Sequence, residues 1–120
     1  MSLRCLIVDD NRGFLHAARM LLERQGVAIA GVASTSADAL REAEMLRPDV
    51  VLVDVSLGDE SGLDLARRLV EAHAGEATIV LISSRSEAEL GELVTLSPVA
   101  GFLSKSELSA DRIRDFVNGR

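Results

Sequence analysis

Val50-Val51-Leu52-Val53-Asp54 is an unbroken apolar run that stops at a carboxylate. It does not alternate apolar with polar residues, so both faces of this strand have to be covered. A strand buried on both sides points to a parallel sheet with helices packed on each face. The same unit recurs on either side of it. Cys5-Leu6-Ile7-Val8 is an apolar run ending at Asp9-Asp10, and from Gly13 the period changes to that of a helix face: Phe14, Leu15, Ala18, Leu21, Leu22. Gly26 is placed to stop that helix. Val27 to Ala33 reads as a second, weaker strand, and Ser34, Thr35 and Ser36 offer an N-cap for a helix with Ala39, Leu40, Ala43 and Leu46 inside. Pro48 ends that helix.

Beyond Asp54 a loop, Ser56 to Gly62, leads to a helix facing inward through Leu63, Ala66, Leu69 and Val70. Thr78 to Ile82 is a buried strand ending at Ser83-Ser84, and Ser86 with Glu89 forms a capping-box pair for the next helix. Val99 to Leu103 is a fifth strand ending at Ser104-Lys105, and the last helix carries Leu108, Ile113, Phe116 and Val117. Five strand–helix units in 120 residues make one domain, residues 1–120, with an open parallel sheet; a closed eightfold barrel needs about twice the length. Such a sheet has its site at the carboxyl ends of its strands.

Composition removes several classes of function. Acidic residues number 19 against 13 basic ones, for a net charge of −6, and Phe14, Phe102 and Phe116 are the only aromatics. A nucleic-acid binder needs a basic face or stacking platforms, so direct nucleic-acid binding is not expected, nor is docking on anionic lipid. Cys5 stands alone in an apolar run and reads as a buried structural thiol. The start of the chain reaches Asp9 too soon for a secretory segment, and no apolar stretch is long enough for a membrane span, so the expected location is cytoplasmic. His16 and His73 have no ligand partner at metal spacing, and Arg67-Arg68 reads as a solvated face.

The strand ends carry the chemistry. Strand one ends in Asp9 and Asp10, strand three in Asp54, strand four in Ser83, and strand five in Lys105, the only lysine in the chain. Two carboxylates about 4 Å apart repel by roughly 4 kcal/mol at an effective dielectric near 20. A shared proton, the Lys105 ammonium or a divalent cation must compensate. One lysine cannot neutralise three acids, and oxygen ligands suit a hard cation, so the residues imply Mg²⁺ or Mn²⁺ at Asp9, Asp10 and Asp54. A cation beside an ammonium and a hydroxyl is equipped to handle a phosphoryl group. The nucleophile is then water or a carboxylate, and Asp54 is the better candidate because it ends the central strand.

In this order and spacing the residues resemble a response-regulator receiver domain of a two-component system, with a chemotaxis-regulator-like fold. The resemblance spans the whole chain. It rests on Leu6-Ile7-Val8-Asp9-Asp10-Asn11, on Val50 to Asp54 with Gly62 eight residues on, on Ile82-Ser83, and on Gly101-Phe102-Leu103-Ser104-Lys105. Its separations are 45 residues from Asp9 to Asp54 and 22 from Ser83 to Lys105. It implies an α/β fold: a doubly wound, open five-stranded parallel sheet, (β/α)5, in the flavodoxin-like strand order 2-1-3-4-5. It implies that Asp54 accepts a phosphoryl group from the phosphohistidine of a sensor histidine kinase or phosphotransfer protein. Asp10, Asp54 and the backbone carbonyl of Ser56 would bind Mg²⁺ directly, with Asp9 acting mostly through water. Ser83 and Lys105 would hold phosphoryl oxygens, and Ser83 with Phe102 would form the switch. The output face would be the fourth helix, fifth strand and fifth helix, which could also pair two copies into a homodimer. Such a chain is a phosphoacceptor signalling module that assists its own phosphorylation and dephosphorylation, not a turnover enzyme. Its target is a downstream protein or an output domain, and the chain is either a stand-alone receiver or one taken from a longer regulator.

The sequence departs from the commonest family pattern in three places. Ser106 follows Lys105, where many members carry a proline with a cis bond, and a non-proline cis bond costs ~2.5–4 kcal/mol. Gly58 stands where proline is frequent, and Ser84 stands where alanine or glycine is common, which makes it a second candidate for the phosphate contact. Other readings fit less well. A phosphatase of the haloacid-dehalogenase type needs a second Asp two residues after the nucleophile, where Ser56 stands. A phosphorylation-independent interaction domain would not need the complete residue set. A nucleotide- or flavin-binding domain lacks its Gly-rich loop after the first strand.

Overall fold

A computed structural model of the chain describes residues 2–73, 76–85 and 98–119. Five parallel strands form its sheet: β1 (Arg4–Val8), β2 (Ala28–Ala33), β3 (Val50–Asp54), β6 (Thr78–Ser83) and β7 (Gly101–Ser104). A two-stranded antiparallel hairpin, β4 (Ser56–Leu57) and β5 (Glu60–Ser61), stands directly after β3. The order across the sheet is β2-β1-β3-β6-β7, the doubly wound order expected once the hairpin is set aside. Four described helices cover it: α1 (Arg12–Arg24), α2 (Ser36–Leu46), α3 (Gly62–Ala72) and α4 (Ala110–Val117). The capping-box pair Ser86 and Glu89, and the fourth helix expected there, lie outside the described residues.

Strand alternation sends side chains into two separate cores. Val51 and Val53 of the central strand pack with Leu6, Val8 and Leu81 beneath α2 and α3, which contribute Ala39, Ala43, Leu65 and Leu69. Val50 and Leu52 pack with Ile7, Val80 and Ile82 beneath α1 and α4, which contribute Leu15, Leu22 and Ile113. This two-sided burial is why the run Val50–Val53 carries no polar residue. Cys5 lies in the second core, fully buried, and that burial pushes its thiol up to about 12. The fold has no use for it as a nucleophile.

Several boundaries differ from the sequence reading, each for a local reason. Asn11 caps α1, its Oδ1 accepting the Phe14 N–H at 3.0 Å, so that helix begins at Arg12. The cap of α2 does come from the expected Ser34–Ser36 group, through Thr35. Ser109 caps α4 by accepting the Arg112 N–H at 3.2 Å, which leaves the buried Leu108 before that helix and not on it. Lys105–Glu107 form a single 3₁₀ turn, and the Lys105–Ser106 bond is trans, as are all peptide bonds among the described residues. Pro48 does follow the end of α2, and Gly26 follows the end of α1.

The segment expected as a plain loop after Asp54 is a tight structure held at three points. Gly58 turns the hairpin with φ of 59°, a conformation that proline could not adopt. Glu60 reaches across to accept the Ser36 N–H at 2.9 Å, tying the hairpin to the start of α2. Gly62 donates its N–H to the Val55 carbonyl at 2.9 Å, so closely that a Cβ there would lie 1.7 Å from the Asp54 carbonyl oxygen. No side-chain motion relieves a clash with backbone. Gly62→Ala is therefore expected to destabilise the fold by about 2 kcal/mol or more, read as a lower denaturant midpoint. A midpoint within error of wild type would contradict the close approach.

Candidate functional site

Strand register brings the site together. Val8 is level with Val53, so the next residues, Asp9 and Asp54, stand side by side at the carboxyl edge. Ser83 is level with Ser104, which places Lys105 one step beyond on the neighbouring strand. Asp9 is fully buried and Asp54 is 7% exposed, whereas Asp10 is exposed beside the hairpin, its Oδ2 3.4 Å from where a Cβ on Gly58 would stand. Oxygens of the three carboxylates lie within 4.8 Å of one another.

The two buried acids divide their oxygens in the same way. Asp9 Oδ1 accepts the Asn11 N–H at 2.8 Å, and Asp54 Oδ1 accepts the Ser56 N–H at 3.1 Å. Each is a local turn in which the carboxylate binds the backbone two residues on. Their Oδ2 atoms turn toward Lys105, whose Nζ lies 2.6 Å from Asp9 and 3.1 Å from Asp54. The Lys105 side chain is only 17% exposed, and its ammonium sits 4.2 Å from the centre of the Phe14 ring. The Asp9 approach is an ion pair without regular hydrogen-bond geometry, which leaves Asp9 Oδ2 buried with no hydrogen bond.

The charges respond to this crowding. Burial pushes the Asp54 carboxyl above its usual range, with Asp9 adding to the rise; the Ser56 N–H and Lys105 offset only part of it. Burial pulls Lys105 downward, but its bonds to Asp9 and Asp54 outweigh that, and the ammonium is held above its usual range. Three carboxylates against one ammonium leave two negative charges uncompensated. That charge imbalance and the all-oxygen donor set together fit a divalent hard cation.

Ser83 is 4% exposed at the end of β6, and its Oγ accepts the Arg85 N–H at 3.0 Å. Ser84 is exposed. By alternation Ser83 follows Ile79 and Leu81 toward the α2/α3 core, where Phe102 is buried, while Asp54 follows Val50 and Leu52 toward the opposite core. Ser56 is exposed on β4, two residues from Asp54. Sequence reading had no signal for two features of the site: the antiparallel hairpin, whose strands are only two residues long, and the contact of Phe14, which it counted as core. His16 is exposed, and the His73 N–H closes the end of α3.

Because the Asp54 carboxyl is raised, the folded state favours its protonated form. Its charge therefore costs stability at neutral pH, and that cost fades as pH falls through the raised value toward the ordinary range near about 4. In EDTA at pH 8, Asp54→Asn is expected to melt a few degrees above wild type, on the order of 1 kcal/mol, with the gap closing near pH 4. A lower melting temperature than wild type at pH 8 would show that the Lys105 pair outweighs burial and repulsion.

Known proteins agree with this arrangement. The family model described as the response regulator receiver domain matches residues 5–118. Response regulator UvrY of Escherichia coli is 32% identical over 101 residues, covering 83% of this chain and 46% of that protein. Response regulator GacA of Pseudomonas viridiflava is 28% identical over 113 residues, covering 93% of this chain and 52% of that one. The chain thus spans about half the length of these curated relatives. Among solved structures, the signal receiver domain of a modulated diguanylate cyclase from Desulfovibrio desulfuricans superposes with a TM-score of 0.79 at 30% identity, covering 98% of this chain and 92% of that one. With its strand order, its carboxyl-edge acids and a family match over nearly its full length, the chain belongs to the response-regulator receiver domains, the signalling domains of two-component systems.

Proposed function

We propose that Asp54 is the phosphoacceptor of this receiver, taking a phosphoryl group from the phosphohistidine of a sensor histidine kinase or phosphotransfer protein. The observation that carries this reading is the convergence of Asp54 with Asp9 and the Lys105 ammonium at the end of the central strand. In the transfer, a carboxylate oxygen of Asp54 forms a new O–P bond as the N–P bond of the phosphohistidine breaks. The imidazole leaves with the electron pair and takes up a proton. Lys105 pairs with one phosphoryl oxygen, and Ser83, the more buried of the two serines, donates its hydroxyl to another. Asp9, Asp10 and Asp54, with the Ser56 carbonyl, are the groups that would hold Mg²⁺, or Mn²⁺ in its place. That cation supplies charge neutralisation for the phosphoryl oxygens.

The output step follows from Ser83. Drawing its hydroxyl toward a phosphoryl group vacates space on the face it shares with Phe102, and the ring turns inward behind it. The altered face passes the signal to a downstream protein or to the output domain of a longer regulator. The homodimer expected through the fourth helix, fifth strand and fifth helix involves residues outside those described, and it stays a proposal. Among the described residues no helix is long and apolar enough to cross a membrane, in keeping with a cytoplasmic site of action.

Two measurements test this reading. Mg²⁺ at ten times its dissociation constant should stabilise the wild type by about 1.4 kcal/mol relative to EDTA, read as a higher melting temperature. Asp10→Ala should lose most of that gain; an equal gain in both would remove the carboxylates from the metal site. Beryllofluoride with Mg²⁺ should then raise it further in wild type and not in Asp54→Ala. An equal response in Asp54→Ala would contradict the assignment.

A further inference from the structure

Phe14 takes no part in the chemistry above, yet its ring lies 4.2 Å from the Lys105 ammonium. We infer that Phe14 is a positioning residue for phosphoryl acceptance, its ring face holding the Lys105 ammonium at the carboxylate pocket when the acids' charge is engaged elsewhere. This rests on the phosphoacceptor reading of Asp54.

Three neighbours converge on Lys105 Nζ: Asp9 Oδ2 at 2.6 Å, Asp54 Oδ2 at 3.1 Å and the Phe14 ring. Two of these depend on charges that phosphorylation and a cation would redistribute. Phosphorylation replaces the carboxylate charge of Asp54 with that of the phosphoryl group, and Asp9 would share its own charge with the cation. The ring alone exerts an attraction that neither event changes, because it arises from the fixed quadrupole of the aromatic face. That attraction counts for more where water is excluded, and the Lys105 side chain is 17% exposed. A lysine needs such a guide, since its stem has four rotatable methylenes and a single point charge.

Phe14 is also well placed to be a fixed partner. It stands in the first turn of α1, where its N–H is held by the capping Asn11 side chain at 3.0 Å. Its ring is half-buried and packs on the core beneath α1 and α4. By alternation the same face of the sheet carries Leu103 and, beyond it, Lys105.

The chain has a single lysine, so the ε-methylene resonance of Lys105 is assignable by NMR without overlap from another lysine. In the metal-free protein that signal should show an upfield ring-current shift in wild type and Phe14→Tyr, and lose it in Phe14→Leu, which keeps an apolar side chain without the aromatic face. Beryllofluoride affinity in the presence of saturating Mg²⁺ should fall about three- to tenfold in Phe14→Leu and return to near wild type in Phe14→Tyr. In a Lys105→Met background, Phe14→Leu should have no further effect. Affinity for Mg²⁺ alone should stay within about twofold, since the ring acts through the ammonium. A Lys105 signal indifferent to residue 14, an equal effect in the Lys105→Met background, or a matching loss of Mg²⁺ affinity would overturn the inference. A wild type that responds to beryllofluoride with Phe14→Leu responding identically would overturn it alone. A wild type that does not respond at all would overturn the phosphoacceptor reading together with it.

Discussion

One half-buried ammonium lies between two buried carboxylates, and the architecture of the domain serves that contact. Asp9 and Asp54 are side by side because β1 and β3 are parallel and in register, with no residue of slack between Val8 and Val53. Lys105 reaches them from the end of β7, two strands from β3 and three from β1, because β7 ends level with β6. Each acid spends one oxygen on its own backbone, which fixes its direction, and turns the other to the shared cation. The arrangement is charged beyond what one lysine can neutralise. That imbalance makes the site receptive to a divalent cation, while burial, with Asp9 adding to it, raises the Asp54 carboxyl.

The rest of the fold keeps this crowded edge in place. Cores on both faces of the sheet pack buried strand residues against the inner faces of the helices, so the strands cannot slide to relieve the repulsion. Immediately after Asp54 the backbone passes under Gly62 with no room for a side chain, and the hairpin from Ser56 to Ser61 is tied to α2 through Glu60. After Lys105 a 3₁₀ turn with a trans peptide bond carries the chain toward α4. The family's common proline is absent at that point, and the turn forms without it.

Much of this was legible in the residues, for physical reasons. The unbroken run Val50–Val53 can only be a strand covered on both faces, and it is. Asp9, Asp54 and Lys105 could be assembled from strand ends alone, because a parallel sheet brings successive carboxyl ends to one edge. Gly26 and Pro48 marked helix ends because glycine tolerates the positive φ that turns the chain out of a helix and proline cannot continue one. The hairpin was not legible, since strands of two residues carry no periodicity. Leu108 was assigned to the last helix because its spacing from Ile113 suits one, whereas the capping hydroxyl of Ser109 decides where that helix begins. Phe14 read as core from its helical spacing, and only the structure shows that its ring meets the ammonium. Periodicity reports which face a residue is on; it does not report what stands at the end of that face.

The central claim is that Asp54 is the residue phosphorylated. Acyl phosphates are reduced by borohydride, which converts the modified aspartate to homoserine and marks its position for peptide mapping. After incubation with acetyl phosphate and Mg²⁺, homoserine is predicted at position 54, and it should be absent when EDTA replaces the metal. Homoserine at position 9 or 10, or an equal yield at 54 in EDTA, would contradict the account.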